Sequence, residues 1–264
     1  MLMRSCLALA MLTASAWGLA DDRLQAAIGS DRPATESARD EHRHPYETLT
    51  FFGITPDATV VELFPGGGWY SAILAPYLKD EGHFVAAHWN LDNPDAPGYQ
   101  AEVRGRFENR FADTERFGDI KIIAFDPPTM PSLGPRESAD LVLTFRNVHG
   151  WKRAGEFDDA LAAAYEVLRP GGVLGVVGHR LPEDADEDPE AGYVKQGWVI
   201  AQAEAQGFRF DAASEVNANS ADTADHPNGV WTLPPSLEVP EEDDVEAYRA
   251  IGESDRFTLR FLKD

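Results

Sequence analysis

The chain has 264 residues, of which 45 are Asp or Glu and 23 Lys or Arg, for a formal net charge of −22 at pH 7. So negative a surface repels phosphate backbones and anionic headgroups, and no basic stripe interrupts it, which argues against nucleic acid as a substrate. Length suits one domain with a sizeable core.

Arg4 followed by an apolar run over residues 6–16 and the small-residue site Gly18-Leu19-Ala20 reads as an export signal, residues 1–20. The mature chain is then expected to start near Asp21 and to act outside the cytoplasm, periplasmic or secreted, without stable membrane insertion. An unprocessed N-terminal anchor is the alternative. Cys6 is the sole cysteine and would leave with the signal, which excludes disulfides and thiolate chemistry from the mature protein.

Residues 21–47 are polar and charged and are expected to form a helical arm. Thr59-Val60-Val61-Glu62-Leu63-Phe64 is strand-like, then come glycines and a helical stretch over 69–78. Residues 83–88 predict a second strand and residues 99–111 a helix, with Val103, Phe107 and Phe111 on one face. Further strands are expected at 120–125, stopped by Asp126-Pro127-Pro128, and at 140–145, a continuous apolar run that fits burial on both faces. A helix over 156–168 should end at the Arg169-Pro170-Gly171-Gly172 turn, ahead of a fifth strand at 173–178. A helix over 193–205, a strand over 208–216, a polar proline-rich insertion over 217–255 and an alternating strand at 256–261 complete the chain.

Strands alternating with helices imply a doubly wound, Rossmann-like α/β sheet, mostly parallel, with an antiparallel C-terminal edge strand paired to the strand before it. In such sheets ligands bind beyond the carboxyl ends of the strands. The loop Pro65-Gly66-Gly67-Gly68 after the first strand lies there, with a helix following. It suits a ligand approaching the backbone, although a tight turn without ligand has the same signature.

Two apolar residues, the acid Glu62 and this glycine loop resemble the first motif of the class I S-adenosylmethionine (SAM)-dependent methyltransferases. The Leu168-Arg169-Pro170-Gly171-Gly172 turn is similar to a later landmark of that family. His44-Pro45-Tyr46-Glu47-Thr48-Leu49, the segment from Val61-Glu62 through Leu74-Ala75-Pro76, Arg146-Asn147-Val148-His149-Gly150-Trp151 and Asp255-Arg256-Phe257 resemble a family of predicted bacterial methyltransferases, exported and of unassigned substrate. The resemblance implies SAM as cofactor, with Glu62 organising the loop and Pro65, Gly66, Gly67 and Gly68 approaching the ligand. It puts His88 where a ribose-gripping carboxylate usually stands, and Asp126 where the adenine amino group is read. Phe64 replaces the first glycine of the pattern, which implies a different loop geometry.

Arg146, Asn147 and His149, at the end of the fourth strand, are the candidate catalytic residues. His149 is a candidate general base or a loop-tying histidine, and Asn147 a backbone pin or a substrate contact. The expected function is methyl transfer to a small molecule or a protein side chain. The alternatives are an exported binding protein on the same fold that has lost or exchanged its cofactor, and a metal-dependent enzyme using His88, His149 and His179 if they converge. No short His-x-x-x-His pair supports the latter, and no metal ligands are expected.

Overall fold

The computed structural model describes residues 21–93, 96–127 and 129–264; the expected export signal, with Cys6, lies outside them. Eight strands form in chain order: β1 (Thr59–Leu63), β2 (His83–Trp89), β3 (Lys121–Phe125), β4 (Ala139–Phe145), β5 (Leu168–Leu181), β6 (Val194–Lys195), β7 (Phe208–Ser214) and β8 (Arg256–Lys263). The sheet order is β3-β2-β1-β4-β5-β8-β7, and the two-residue β6 pairs only with β5. β1 to β5 run parallel to one another, and β8 lies antiparallel to both β5 and β7.

The doubly wound sheet and the antiparallel final pair match the expectation from sequence. The last strand, however, sits one place in from the edge, and β7 takes the edge. Burial explains the order: Phe257, Thr258, Leu259 and Phe261 of β8 are all at 0% exposure. A strand covered on both faces belongs inside a sheet, where neighbours on each side satisfy its backbone. The turn expected at Arg169–Gly172 is instead taken into β5, which opens at Leu168 with a register shift against β4 between Ala139 and Leu141.

The alternation of β1 distributes its side chains between two cores. Val61 and Leu63 face one core, under the helices Phe157–Val167 and Gln196–Ala205. Val60 faces the other, under Pro45–Phe52 and Ser71–Leu78. Glu62 shares the face of Val60, which sets its carboxylate beside Ser71 at the start of helix Ser71–Leu78. The arm is broken into short helices, Asp22–Ile28, Ala34–Ser37 and Asp40–Arg43, before Pro45–Phe52. An unforeseen helix, Val148–Ala154, follows β4 directly.

The 217–255 insertion contains a 3-10 turn, Gly229–Thr232, and the helix Val245–Ile251. Its anchor is Asp222, whose side chain is 0% exposed. The Tyr193 hydroxyl lies 3.1 Å from both carboxylate oxygens, His226 Nε2 lies 2.9 Å from Oδ1, and the Asp255 N–H donates to Oδ2 at 2.8 Å. Buried polar groups left without partners cost more than a hydrogen bond contributes when made. Asp222→Ala is therefore expected to destabilise the protein by about 3 kcal/mol and to open the insertion to protease, read by urea unfolding and limited proteolysis. An unchanged urea midpoint would contradict the anchoring role.

Candidate functional site

β1 ends in a reversal that the backbone does not make freely. Phe64, Gly66 and Gly68 have φ of +45°, +57° and +81°. For a bulky residue such as Phe64 this conformation costs roughly 1–2 kcal/mol. Phe64 therefore takes a left-handed conformation at the position where the family pattern has its first glycine. Compensation comes from its ring, which lies 5.8 Å from Trp89, 5.6 Å from Phe125 and 5.3 Å from Trp151. Partial burial of an aromatic side chain contributes about 1–2 kcal/mol, enough to offset the strain.

Side chains from other elements then pin the loop. Asn147 Nδ2 donates to the Leu63 carbonyl at 2.9 Å, the Phe64 carbonyl at 3.3 Å and Thr144 Oγ1 at 3.0 Å, tying the end of β4 to the end of β1. His88 is completely buried, with Nε2 donating to the Gly66 carbonyl at 3.1 Å and Nδ1 accepting the Trp89 N–H at 3.0 Å. Those two bonds fix the neutral Nε2–H tautomer. Burial pulls the pKa of His88 down to about 4, against the weaker opposing effect of the Gly66 bond. His88 is committed to the loop from below, so the ribose contact expected of it is not what its geometry offers. The end of β2 presents Trp89 and Asn90 to the open side instead.

Glu62 is likewise internal, at 2% exposure, and its Oε2 accepts the Ser71 hydroxyl at 2.5 Å. Burial raises its pKa to about 7, with the Ser71 bond opposing. Gly66 and Gly67 have nothing within 4 Å of where a Cβ would stand, whereas a Cβ on Gly68 would come within 2.4 Å of the Phe111 ring. Gly68 is a packing glycine; Gly66 and Gly67 present open backbone to a cleft.

Two adjoining clefts share the walls Phe64, Trp89, Arg146 and Asn147. The larger, about 590 Å³, is lined among others by Asn90, Asp126, His149, Trp151, Glu156 and Trp231 of the insertion. Volumes of this order hold small organic ligands. Asp126 Oδ2 accepts from Thr129 Oγ1 at 2.8 Å and Asn93 Nδ2 at 3.2 Å. The buried indole N–H of Trp151 has no acceptor among the described residues. The smaller cleft, about 270 Å³, runs past Pro65, Gly66 and Gly67 to Glu36, Arg39, Arg43 and Trp69 of the arm and loop.

His149 stands between the larger cleft and a third cavity lined by Lys152, Glu187 and Tyr193. It makes no hydrogen bond to a described residue. Its ring lies 5.5 Å from His179 and 5.7 Å from Trp231. Burial, reinforced by Arg146 and Arg153, lowers its pKa to about 4. His179 is buried against Ser254 Oγ at 2.6 Å. Two of the three histidines therefore meet and His88 stays apart under the loop. No group of three or more His, Cys, Asp or Glu able to hold a metal occurs among the described residues.

No family model matches the chain, and no curated protein matches it in sequence. Solved structures do match. A SAM-dependent methyltransferase from Aquifex aeolicus superposes with a TM-score of 0.57 at 15% identity, covering 91% of this chain and 98% of that one. The fold is that of the SAM-dependent methyltransferases. A putative methyltransferase of Haloferax volcanii, seen with the Trm112 methyltransferase activator, gives 0.53 at 15% identity over 93% of this chain and 99% of its own. The [4+2]-cyclase SpnF gives 0.58 at 13% identity over 92% of each chain. A methyltransferase-like fold thus carries more than one chemistry, and the site must decide.

Sequence reasoning missed Arg39, Arg43 and Trp231. The i, i+4 spacing of the two arginines was a usable signal, submerged in an arm that also carries many acids. The titrations give a direct check. With a folded pKa raised from 4.5 to about 7, Glu62 favours the folded state fully below 4.5 and loses that contribution as pH rises towards 7. Glu62→Gln keeps an acceptor for Ser71 and removes the loss. Its stability relative to wild type should climb between pH 4.5 and 7, by at most about 3 kcal/mol, in urea titrations at pH 5 and pH 8. A difference independent of pH would refute the buried-carboxyl account.

Proposed function

We propose that this chain binds SAM across the carboxyl ends of β1 to β4 and transfers its methyl group to a small molecule or a protein side chain. The observation that carries the reading is the open backbone of Gly66 and Gly67, facing a cleft directly ahead of helix Ser71–Leu78. The residues present fit an adenosyl compound: Asp126 and Asn90 offer polar atoms along the larger cleft, and the unpaired Trp151 N–H awaits an acceptor. Bound SAM supplies an electrophilic methyl group on a sulfonium.

The protein's contribution is then placement. Asn147, through the carbonyls of Leu63 and Phe64, fixes the loop that would hold the cofactor. Trp89, Trp151 and Trp231 wall the larger cleft and reduce access of water. With a pKa near 4, His149 is neutral at ordinary pH, so it orients an acceptor through a free lone pair better than it removes a proton. Methyl transfer tolerates that, because alignment supplies most of the acceleration. Arg146 lines both clefts and contributes positive charge beside the acceptor.

A second reading, a binding protein on the same fold with an exchanged cofactor, is favoured by one observation. The polar side chain expected to face the ribose, His88, is turned under the loop. Export, read from residues 1–20, remains part of the proposal; among the described residues no helix is long and apolar enough to cross a membrane.

Titration with S-adenosylhomocysteine by calorimetry separates the readings. Micromolar binding is expected. In Gly67→Val, whose Cβ would have nothing within 4 Å, affinity should fall at least tenfold with the melting temperature unchanged. Absence of binding at millimolar ligand would reject the cofactor, and equal affinity in both proteins would reject its location.

A further inference from the structure

The smaller cleft has a chemistry that the glycine loop does not require. Arg39 Nε donates to Glu253 Oε1 at 2.6 Å, Arg43 Nε to Glu253 Oε2 at 3.1 Å, and Arg256 Nη1 to the same Oε2 at 2.9 Å. Arg146, on the wall of both clefts, adds its charge to this group and makes no ion pair with a described residue. Three guanidinium groups thus share one carboxylate, with a fourth nearby. Glu36, the acid that lines this cleft, is occupied by Arg110, whose two terminal nitrogens each reach it at 2.7 Å.

Burial sharpens the imbalance. The Arg43 side chain is 3% exposed, and Nη2 of both Arg39 and Arg43 is buried with no hydrogen-bond partner among the described residues. Desolvation lowers the pKa of Arg146 to about 10, and Glu253 only partly offsets it. Concentrating cations in excess of their counter-ions is costly, and this happens in a chain with formal net charge −22 that has carboxylates to spare. Guanidinium forks match oxyanions in geometry and charge. Arg43 is further held by its guanidinium lying 4.6 Å from the Trp69 ring centroid, so the donors are preorganised by the arm and loop together.

We propose that Arg39, Arg43 and Arg146 form an oxyanion subsite, and that the acceptor is a small molecule bearing a carboxylate or phosphate group which this subsite holds beside the glycine loop. The word acceptor rests on the cofactor reading; the oxyanion subsite itself does not. Anchoring a charged end in the smaller cleft leaves the remainder of the molecule to pass Asn147 towards His149, since both clefts open onto Arg146 and Asn147. Arg39→Gln and Arg146→Gln are the informative variants. Neither removes the buried Arg43, which also packs its guanidinium against the Trp69 ring.

The experiment titrates inorganic sulfate, and separately inorganic phosphate, into the full chain at low ionic strength by calorimetry. It is run with and without saturating S-adenosylhomocysteine, with thermal melts confirming that each variant folds. The expected result is sulfate binding in the millimolar range or tighter that persists with S-adenosylhomocysteine bound. Each variant should weaken it at least tenfold, and Arg39→Gln should leave S-adenosylhomocysteine affinity within about twofold. Sulfate affinity unchanged in folded variants would overturn the subsite. Sulfate displaced by S-adenosylhomocysteine, with the latter weakened tenfold in Arg39→Gln, would overturn the acceptor assignment, because the cluster would then hold the cofactor's own carboxylate. Arginine-dependent sulfate binding in a protein that takes no S-adenosylhomocysteine would uphold the subsite and reject only the cofactor reading.

Discussion

At the carboxyl end of β1 the chain must leave a fully paired strand and reverse within five residues, three of them at positive φ. A phenylalanine in the first of those positions makes the reversal unfavourable on its own. It persists because its surroundings over-determine it: three aromatic rings against Phe64, the Asn147 amide on two successive carbonyls, and His88 beneath Gly66. Hydrogen bonds of this kind contribute about 1 kcal/mol each, so together with ring burial they exceed the backbone cost. The turn is thereby rigid, and rigidity is what a backbone ligand site needs. The pins come from the ends of β2, β3 and β4 and from helix Val148–Ala154, which couples the loop to the sheet as a whole.

The second organising fact is electrostatic. A strongly acidic chain gathers cationic groups from three distant stretches, the arm, the end of β4 and the start of β8, around Glu253. That convergence also helps to tie the arm and the insertion to the sheet. Arg256 Nη2 donates to the His42 carbonyl at 2.5 Å, and Asn217 Nδ2 reaches Thr48 and Thr258 at 3.0 and 2.9 Å. The segments that look like appendages in sequence close one side of the site.

Periodicity made the sheet legible, because β1, β2, β4 and β5 are apolar runs bounded by glycine, proline or acid. The position of β8 was less so: alternation at 256–261 is equally consistent with an edge, and only burial on both faces places it inside. Within the site, the role of Asn147 as a backbone pin was among the readings its position allowed. The inward turn of His88 was not legible, since a residue at a strand end can face the ligand or the underside of the loop. Side-chain alternation decides, and an alignment by one residue reverses it. Convergence of Arg39, Arg43, Arg146 and Arg256 joins residues more than 200 positions apart, which local pattern does not encode.

The account stands or falls on whether the pinned turn is a ligand site. A crystal structure of the full chain grown with S-adenosylhomocysteine and sulfate tests this most directly. The expected density places the nucleoside along the larger cleft between Asp126 and Phe64, with the amino-acid end at Gly66 and Gly67 and a separate sulfate against Arg39, Arg43 and Arg146. Nucleoside density elsewhere on the molecule, or clefts holding only water at saturating ligand, would contradict it.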